Sequence, residues 1–235
     1  MAARGRHDPD PEAERAASDF IRANLPLTAV PGTGVHLHLA SPRSGLSRLV
    51  PPGGTPYWAH AWPGGVALAT HLARHPELVR NRSAVEIGAG SGLVAIAAAV
   101  HGASDVVALD TDPLAAVATR LNAEANGVGR QVRAMTGPRK PHRDQSLVPA
   151  GLLAQRDPPI LLVADLFYDA TLAAHVARTL DAQPPHALTL VGDIGRPFLP
   201  RDRLEPLAAY PVRDLGDPPS APLREGWVFR WVSRP

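Results

Sequence analysis

From Ser83 onward the sequence repeats one pattern: an apolar strand, a turn, a helix. "SAVEIG" reads as a strand and "GLVAIAAAVHG" as a helix, with Gly102 just past its end. "SDVVALD" is a second strand and "DPLAAVATRLNAEANG" a second helix. Asp112 is placed to cap that helix, Pro113 suits its first turn, and Gly127 suits its end. "RQVRAM" gives a third strand, "ILLVADLF" a fourth, "ATLAAHVARTL" a helix and "HALTLVGD" a fifth strand. "LEPLAAYPVRDL" predicts a short helix and a sixth strand, and the alternating "EGWVFRWVS" a seventh. Serial β–α units predict an α/β fold with a mostly parallel sheet and helices on both faces. Such sheets bind ligands beyond the carboxyl ends of their strands, where the strand order reverses.

The segment before this core is organised differently. Acids early and apolar residues at helical spacing predict a helix from Pro11 to Asn24. "GVHLHLA" alternates like a strand over Val35 to Ala40, and a loop rich in Pro, Gly and Ser leads to Tyr57. "PGGVALATHLARHPELV" then predicts a helix broken at Pro76. The expected organisation is an extension, residues 1–57, packed on a core of residues 58–235, effectively one domain. The 235 residues, 45% of them hydrophobic, suffice for one substantial core.

The turn "VEIGAGSGLVAI" sets Gly88, Gly90 and Gly92 at alternating positions after a strand. A dinucleotide site would need Gly-x-Gly-x-x-Gly, and Leu93 stands where its last glycine belongs. Glu86 lies two residues before the first glycine. A carboxylate there suits a ligand carrying ammonium or sulfonium charge better than a pyrophosphate. S-adenosyl-L-methionine has both cations and no phosphate, so the residues favour it over a dinucleotide or a purely structural turn. Asp110, at the end of the second strand, is the candidate acceptor for both ribose hydroxyls. Asp112, just before Pro113, has capping as its sufficient explanation. Ala89 and Thr111 adjoin these positions and, with Ala164 at the end of the fourth strand, are assigned to the same donor site.

At these residues the chain resembles the class I, seven-strand S-adenosylmethionine-dependent methyltransferases, a Rossmann-like α/β fold. "YWAHAWPGGVAL" before the glycine turn, "DLFY" after the fourth strand and "GDIGR" after the fifth narrow the resemblance. Together they resemble the branch of electron-transfer-flavoprotein β-subunit lysine methyltransferases and their bacterial relatives, with Ile194 where that branch usually has proline. The resemblance implies protein-lysine methylation, the flavoprotein β-subunit as substrate, and Trp62 beside the methyl donor, with core packing as the rival reading of Trp62. Ribosomal protein L11 is a weaker implied substrate, because its methyltransferases usually carry a separate N-terminal substrate domain. A small-molecule amine acceptor and an inactive binding protein are the competing readings.

The stretch "ILLVADLFYD" runs a buried strand into an acid and two aromatics. A lysine must reach the methyl group as a free amine along a short, straight path. Asp165 is the candidate that captures and aims the ammonium, and Phe167 and Tyr168 are expected to wall the slot around the alkyl stem. The competing reading makes Asp165 a cap for the following helix and both Phe167 and Tyr168 core residues. Asp193 is expected either to touch substrate or to cap a turn.

His71 and His75 lie four apart on a helix without a third ligand, which predicts a solvated face and no metal. His36 and His38 are given no role. The sequence contains no cysteine, which suits a reducing, cytoplasmic setting. No apolar run approaches the ~20 residues of a membrane span. A net charge of +2 and scattered arginines, apart from "PRKPHRD", argue against a nucleic-acid partner. Richness in Ala, Arg, Gly and Pro suggests a GC-rich bacterial genome.

Overall fold

In the computed structural model the described residues are 11–50, 54–137, 146–149, 159–184, 187–218 and 220–233. The basic run "PRKPHRD" lies outside them. Two strands, β1 (Leu27–Val30) and β2 (Val35–His38), form an antiparallel hairpin after helix α1 (Pro11–Asn24). Helix α2 (Pro63–Arg74) leads into the core: β3 (Ser83–Ile87), α3 (Leu93–Val100), β4 (Asp105–Asp110), α4 (Pro113–Ala125) and β5 (Val132–Thr136). There follow β6 (Ile160–Ala164), α5 (Ala170–Asp181), β7 (Thr189–Asp193), β8 (Leu204–Val212) and β9 (Arg224–Trp231).

The large sheet has the order β5-β4-β3-β6-β7-β9-β8. Its first five strands run parallel; β9 is antiparallel to β7, and β8 to β9. The strand order reverses between β3 and β6, so the crevice for a ligand opens over their carboxyl ends. Period-two alternation divides the sheet's apolar residues between two layers. Ala84, Val106, Ala108, Ile160 and Leu162 pack with α2 and α3. Val85, Val107, Leu109, Leu161 and Val163 pack with α5. Burying both faces is what lets these strands read as continuous apolar runs.

The N-terminal segment joins the core through α4. Ala17, Ile21 and Leu25 pack with Trp58, Ala115, Ala118 and Leu121. Two asparagines of α4 take hold of the β2 backbone. Asn126 Oδ1 accepts from the His36 N–H (2.8 Å) and Asn122 Oδ1 from the His38 N–H (2.8 Å). Asn122 also donates to the Ser91 carbonyl at 2.9 Å, so the hairpin and the glycine turn share one side chain.

The structure corrects the sequence expectations at several points. "LEPLAA" is not helical: it opens the nine-residue strand β8. Partnership with β9 outweighs its helical pattern, and Pro206 and Pro211 are tolerated because β8 is an edge strand, irregular between Pro206 and Ala208. The short strand β1 had no expected counterpart. His71 does not face solvent; it is 5% exposed, with Nδ1 2.8 Å from the Tyr210 hydroxyl, because β8 folds over that part of α2. Burial pushes its imidazole pKa down to about 4.

Candidate active site

A cavity of about 480 Å³ lies over the ends of β3, β4 and β6. Glu86, Gly88, Ala89, Gly90, Asp110, Thr111, Trp62, Ala164, Asp165 and Tyr168 all line it. Gly92 does not. It caps α3 at φ 79°, and a Cβ there would stand 2.7 Å from Thr119 Cγ2, so its requirement is conformational and steric. Phe167 does not line it either. The residue is fully buried, its ring stacked on Trp231 at 6.5 Å between centroids. After Asp165 the chain turns, Leu166 enters the cavity wall, and Phe167 points into the core beneath.

The half of the cavity over β3 and β4 is built from carboxylates held by backbone alone. Glu86 is 3% exposed, and its Oε2 accepts from the Ala95 N–H, in the first turn of α3, at 2.8 Å. Asp110 accepts from the Gly90 N–H at 2.7 Å and from the Asp112 N–H at 2.9 Å. Among the described residues neither acid has a salt-bridge partner. Burial pushes the Glu86 carboxyl up to about 8, and burial likewise raises that of Asp110. Such a pair is poised for a ligand that brings positive charge. A pyrophosphate is poorly served, because the α3 N-terminus that would hold it already receives the Glu86 carboxylate. The residues therefore fit S-adenosylmethionine. Asp112 caps α4, accepting from the Leu114 N–H at 2.9 Å.

The half over β6 is different. Asp165 ends the strand in a left-handed conformation (φ 53°), which Asp tolerates better than most residues. That turn carries its carboxylate back toward α2, where Oδ2 accepts from the Gly65 N–H at 3.0 Å. The approach depends on Gly64. A Cβ on Gly64 would lie 2.5 Å from the Gly192 carbonyl oxygen and 2.7 Å from Asp165 Oδ2. The "WPGG" segment thus lets a helix end close on two strands. Asp165 Oδ1 accepts from Arg196 Nη2 at 3.2 Å. Burial and the neighbouring Asp193 charge push the Asp165 carboxyl up to about 6, against the pull of Arg196. Asp165 does not cap the following helix: Asp169 does, accepting from the Leu172 N–H at 2.9 Å.

Aromatic rings stand at the mouth. Tyr57 stacks on Tyr168 at 6.1 Å and tilts against Trp62 at 5.7 Å. The indole N–H of Trp62 donates to the Tyr57 carbonyl at 2.9 Å, which fixes its ring. Tyr168 is 44% exposed, at the rim of the slot. Asp193 takes the turn-capping option: Oδ1 accepts from the Gly195 and Arg196 N–H groups, each at 2.7 Å. Sequence reasoning passed over Tyr57, Leu166 and Arg196. Only the position of Arg196 in "GDIGR" and of Tyr57 beside Trp58 offered a signal.

The family model of ribosomal protein L11 methyltransferase matches residues 72–170. The electron transfer flavoprotein beta subunit lysine methyltransferase of Xenopus laevis is 36% identical over 209 residues, 83% of this chain and 78% of the relative. That of Danio rerio is 33% identical over 188 residues, 77% and 67% of the two chains. The chain belongs to this family. It is an S-adenosylmethionine-dependent methyltransferase. A ribosomal protein L11 methyltransferase from Halorhodospira halophila is similar over a shorter stretch, 40% over 78 residues, 33% of this chain and 27% of that one. Among solved structures, a putative RNA methyltransferase from Pyrococcus horikoshii is similar with a TM-score of 0.48 and 14% identity, covering 77% of this chain and 89% of that one. Among the described residues no helix is long and apolar enough to cross a membrane, and no cluster of potential metal ligands occurs.

Proposed function

We propose that this enzyme methylates the side-chain nitrogen of a lysine in a protein of the electron-transfer-flavoprotein β-subunit type. One observation carries the reading: a buried carboxylate, Asp165, and a rim of aromatic rings form a slot for a cationic stem, across the cavity from the donor's carboxylates. When bound, S-adenosylmethionine supplies an electrophilic methyl carbon on a sulfonium. The chain's own residues must do the rest. Glu86, with Gly88, Ala89, Gly90 and Ala164, holds the charged end of the donor; Asp110 and Thr111 hold its ribose. Asp165 receives the lysine ammonium and aims it, and the proton leaves to water or to that carboxylate. Tyr168, Tyr57 and Trp62 shield the alkyl stem and exclude bulk water. Residues 1–57 extend the methyltransferase unit of residues 58–235: Tyr57 lines the cavity, and Ala17, Ile21 and Leu25 pack on α4. A cysteine-free chain fits a cytoplasmic setting.

The test is incubation with methyl-labelled donor, purified flavoprotein and host lysate. The expected result is label in one protein band that mass mapping assigns to lysine. Label in small molecules supports an amine methyltransferase, and no label on the flavoprotein overturns it as the substrate. Self-labelling is simple to recognise, because Lys140 is the sole lysine of the chain.

A further inference from the structure

The acceptor slot already contains a cation, and it belongs to the chain itself. Asp193, at the end of β7, fixes the turn that follows by accepting from two successive backbone N–H groups. That turn sends Arg196 back across the sheet end. Its guanidinium carbon lies 5.7 Å from the Trp62 ring centroid, and Nη2 reaches Asp165 Oδ1. Carboxylate and aromatic face are the two elements expected to receive a lysine ammonium, and Arg196 uses both.

Two features make this contact exchangeable. It is a single bond of 3.2 Å to one oxygen and not the two-pronged pairing that holds arginine firmly to carboxylates. In addition, Arg196 Nε is buried without a hydrogen-bond partner among the described residues, so the position leaves a donor unsatisfied. The second Asp165 oxygen is committed to the α2 N-terminus through Gly65. Arg196 is the cation on this carboxylate and lies against Trp62, so an incoming ammonium competes with the guanidinium for the same charge and the same aromatic face.

From this geometry, and resting on the acceptor reading above, we propose that Arg196 is a specificity-determining stand-in: it neutralises Asp165 while no substrate is present and is displaced by the substrate's ammonium. The slot thereby selects a cation on a slender stem. A neutral nucleophile, or water, provides no charge to replace the guanidinium and leaves the slot closed.

The test compares the full chain with Arg196→Ala, and with Arg196→Lys as the conservative variant, after melting temperature and donor affinity establish that each is folded. The first arm titrates guanidinium ion, at concentrations well below denaturing, and follows the Gly65 amide by NMR. Arg196→Ala should bind guanidinium at least tenfold more tightly than the wild type, whose own side chain fills the site. This arm needs no methyl acceptor, so it succeeds or fails independently of whether lysine is the acceptor. The second arm measures kinetics on the protein substrate. Arg196→Ala should raise kcat/KM several-fold through a lower KM, and guanidinium should inhibit that variant competitively. Equal guanidinium binding by the two proteins overturns the proposal. So does an Arg196→Ala enzyme with a collapsed kcat that guanidinium restores, which would place Arg196 among the reacting groups. An unchanged KM in a folded Arg196→Ala enzyme overturns displacement.

Discussion

The two halves of the cavity use the same device to different ends. On each side a carboxylate at a strand end accepts an N–H from the first turn of a helix: Glu86 from Ala95 of α3, Asp165 from Gly65 of α2. On the donor side the carboxylates stop there, with backbone partners and no countercharge among the described residues. On the acceptor side a guanidinium and three rings complete the arrangement. The proposed roles of the two halves account for the difference. A donor that is permanently cationic supplies its own countercharge and must not find one in place. An acceptor amine arrives charged and must leave its proton behind; on the proposed reading Asp165 receives it, and Arg196 tempers that carboxylate until then. The N-terminal amides of α2 and α3 position both acids without adding a mobile charge.

The largest expected effect tests the donor half. Asp110→Ala removes a bidentate acceptor and should weaken S-adenosylmethionine by about 1.5–3 kcal/mol, roughly 10- to 150-fold, by calorimetry. It also frees the amides of Gly90 and Asp112, so the melting temperature is read beside the affinity. Unchanged affinity in a folded variant removes Asp110 from the donor site.

The matching change in the acceptor half is Asp165→Asn, nearly isosteric but uncharged. Donor affinity should persist while kcat/KM for the protein substrate falls tenfold or more, about 1.4 kcal/mol, with both kcat and KM worsening. Full activity would mean that the acid serves only to hold α2 against β6. Were donor affinity to fall as well, the two halves would be one coupled network and the comparison would break.

A smaller effect separates the halves by pH. Burial lifts Glu86 to about 8, and a cationic donor stabilises its ionised form, so binding should release a proton. Donor affinity should then fall several-fold as pH drops from 8 to 6, an effect Glu86→Gln abolishes. Stability without donor runs the other way. The folded pKa exceeds the ordinary 4.5, so the stabilising contribution is complete below about 4.5 and is lost as pH rises through about 8. Thermal melts across that window check the sign.

The smallest effect is a control on the neighbour of Asp110. Asp112→Ala should cost about 1 kcal/mol of stability through its helix cap and leave donor affinity in place.

The half of the cavity over β3 and β4 was the more legible in the sequence. Local rules placed it: a strand, a glycine turn and a helix are contiguous in the chain, so Glu86, Gly88, Gly90 and Asp110 announce themselves by spacing. The same locality fixed the Asp112 cap and the glycines at 102 and 127 that follow α3 and α4. The acceptor half joins segments far apart in sequence. Trp62, Asp165 and Arg196 come from three different connections, and "DLFY" alone does not tell which aromatic turns inward. Phe167 was misplaced for that reason: the direction of each side chain after Asp165 depends on a left-handed turn at one residue.

By itself the sequence determined the βα alternation, the helix ends and the glycine turn, because each is set by interactions within a few residues. Only the tertiary structure decided that "LEPLAA" is a strand, that His71 is buried, and that Asp165 meets α2 and Arg196 instead of its own helix. Those outcomes depend on which distant backbone comes alongside. Gly64 and Gly192 bring α2 and β7 so close that neither tolerates a Cβ, and that approach places the Gly65 amide on Asp165.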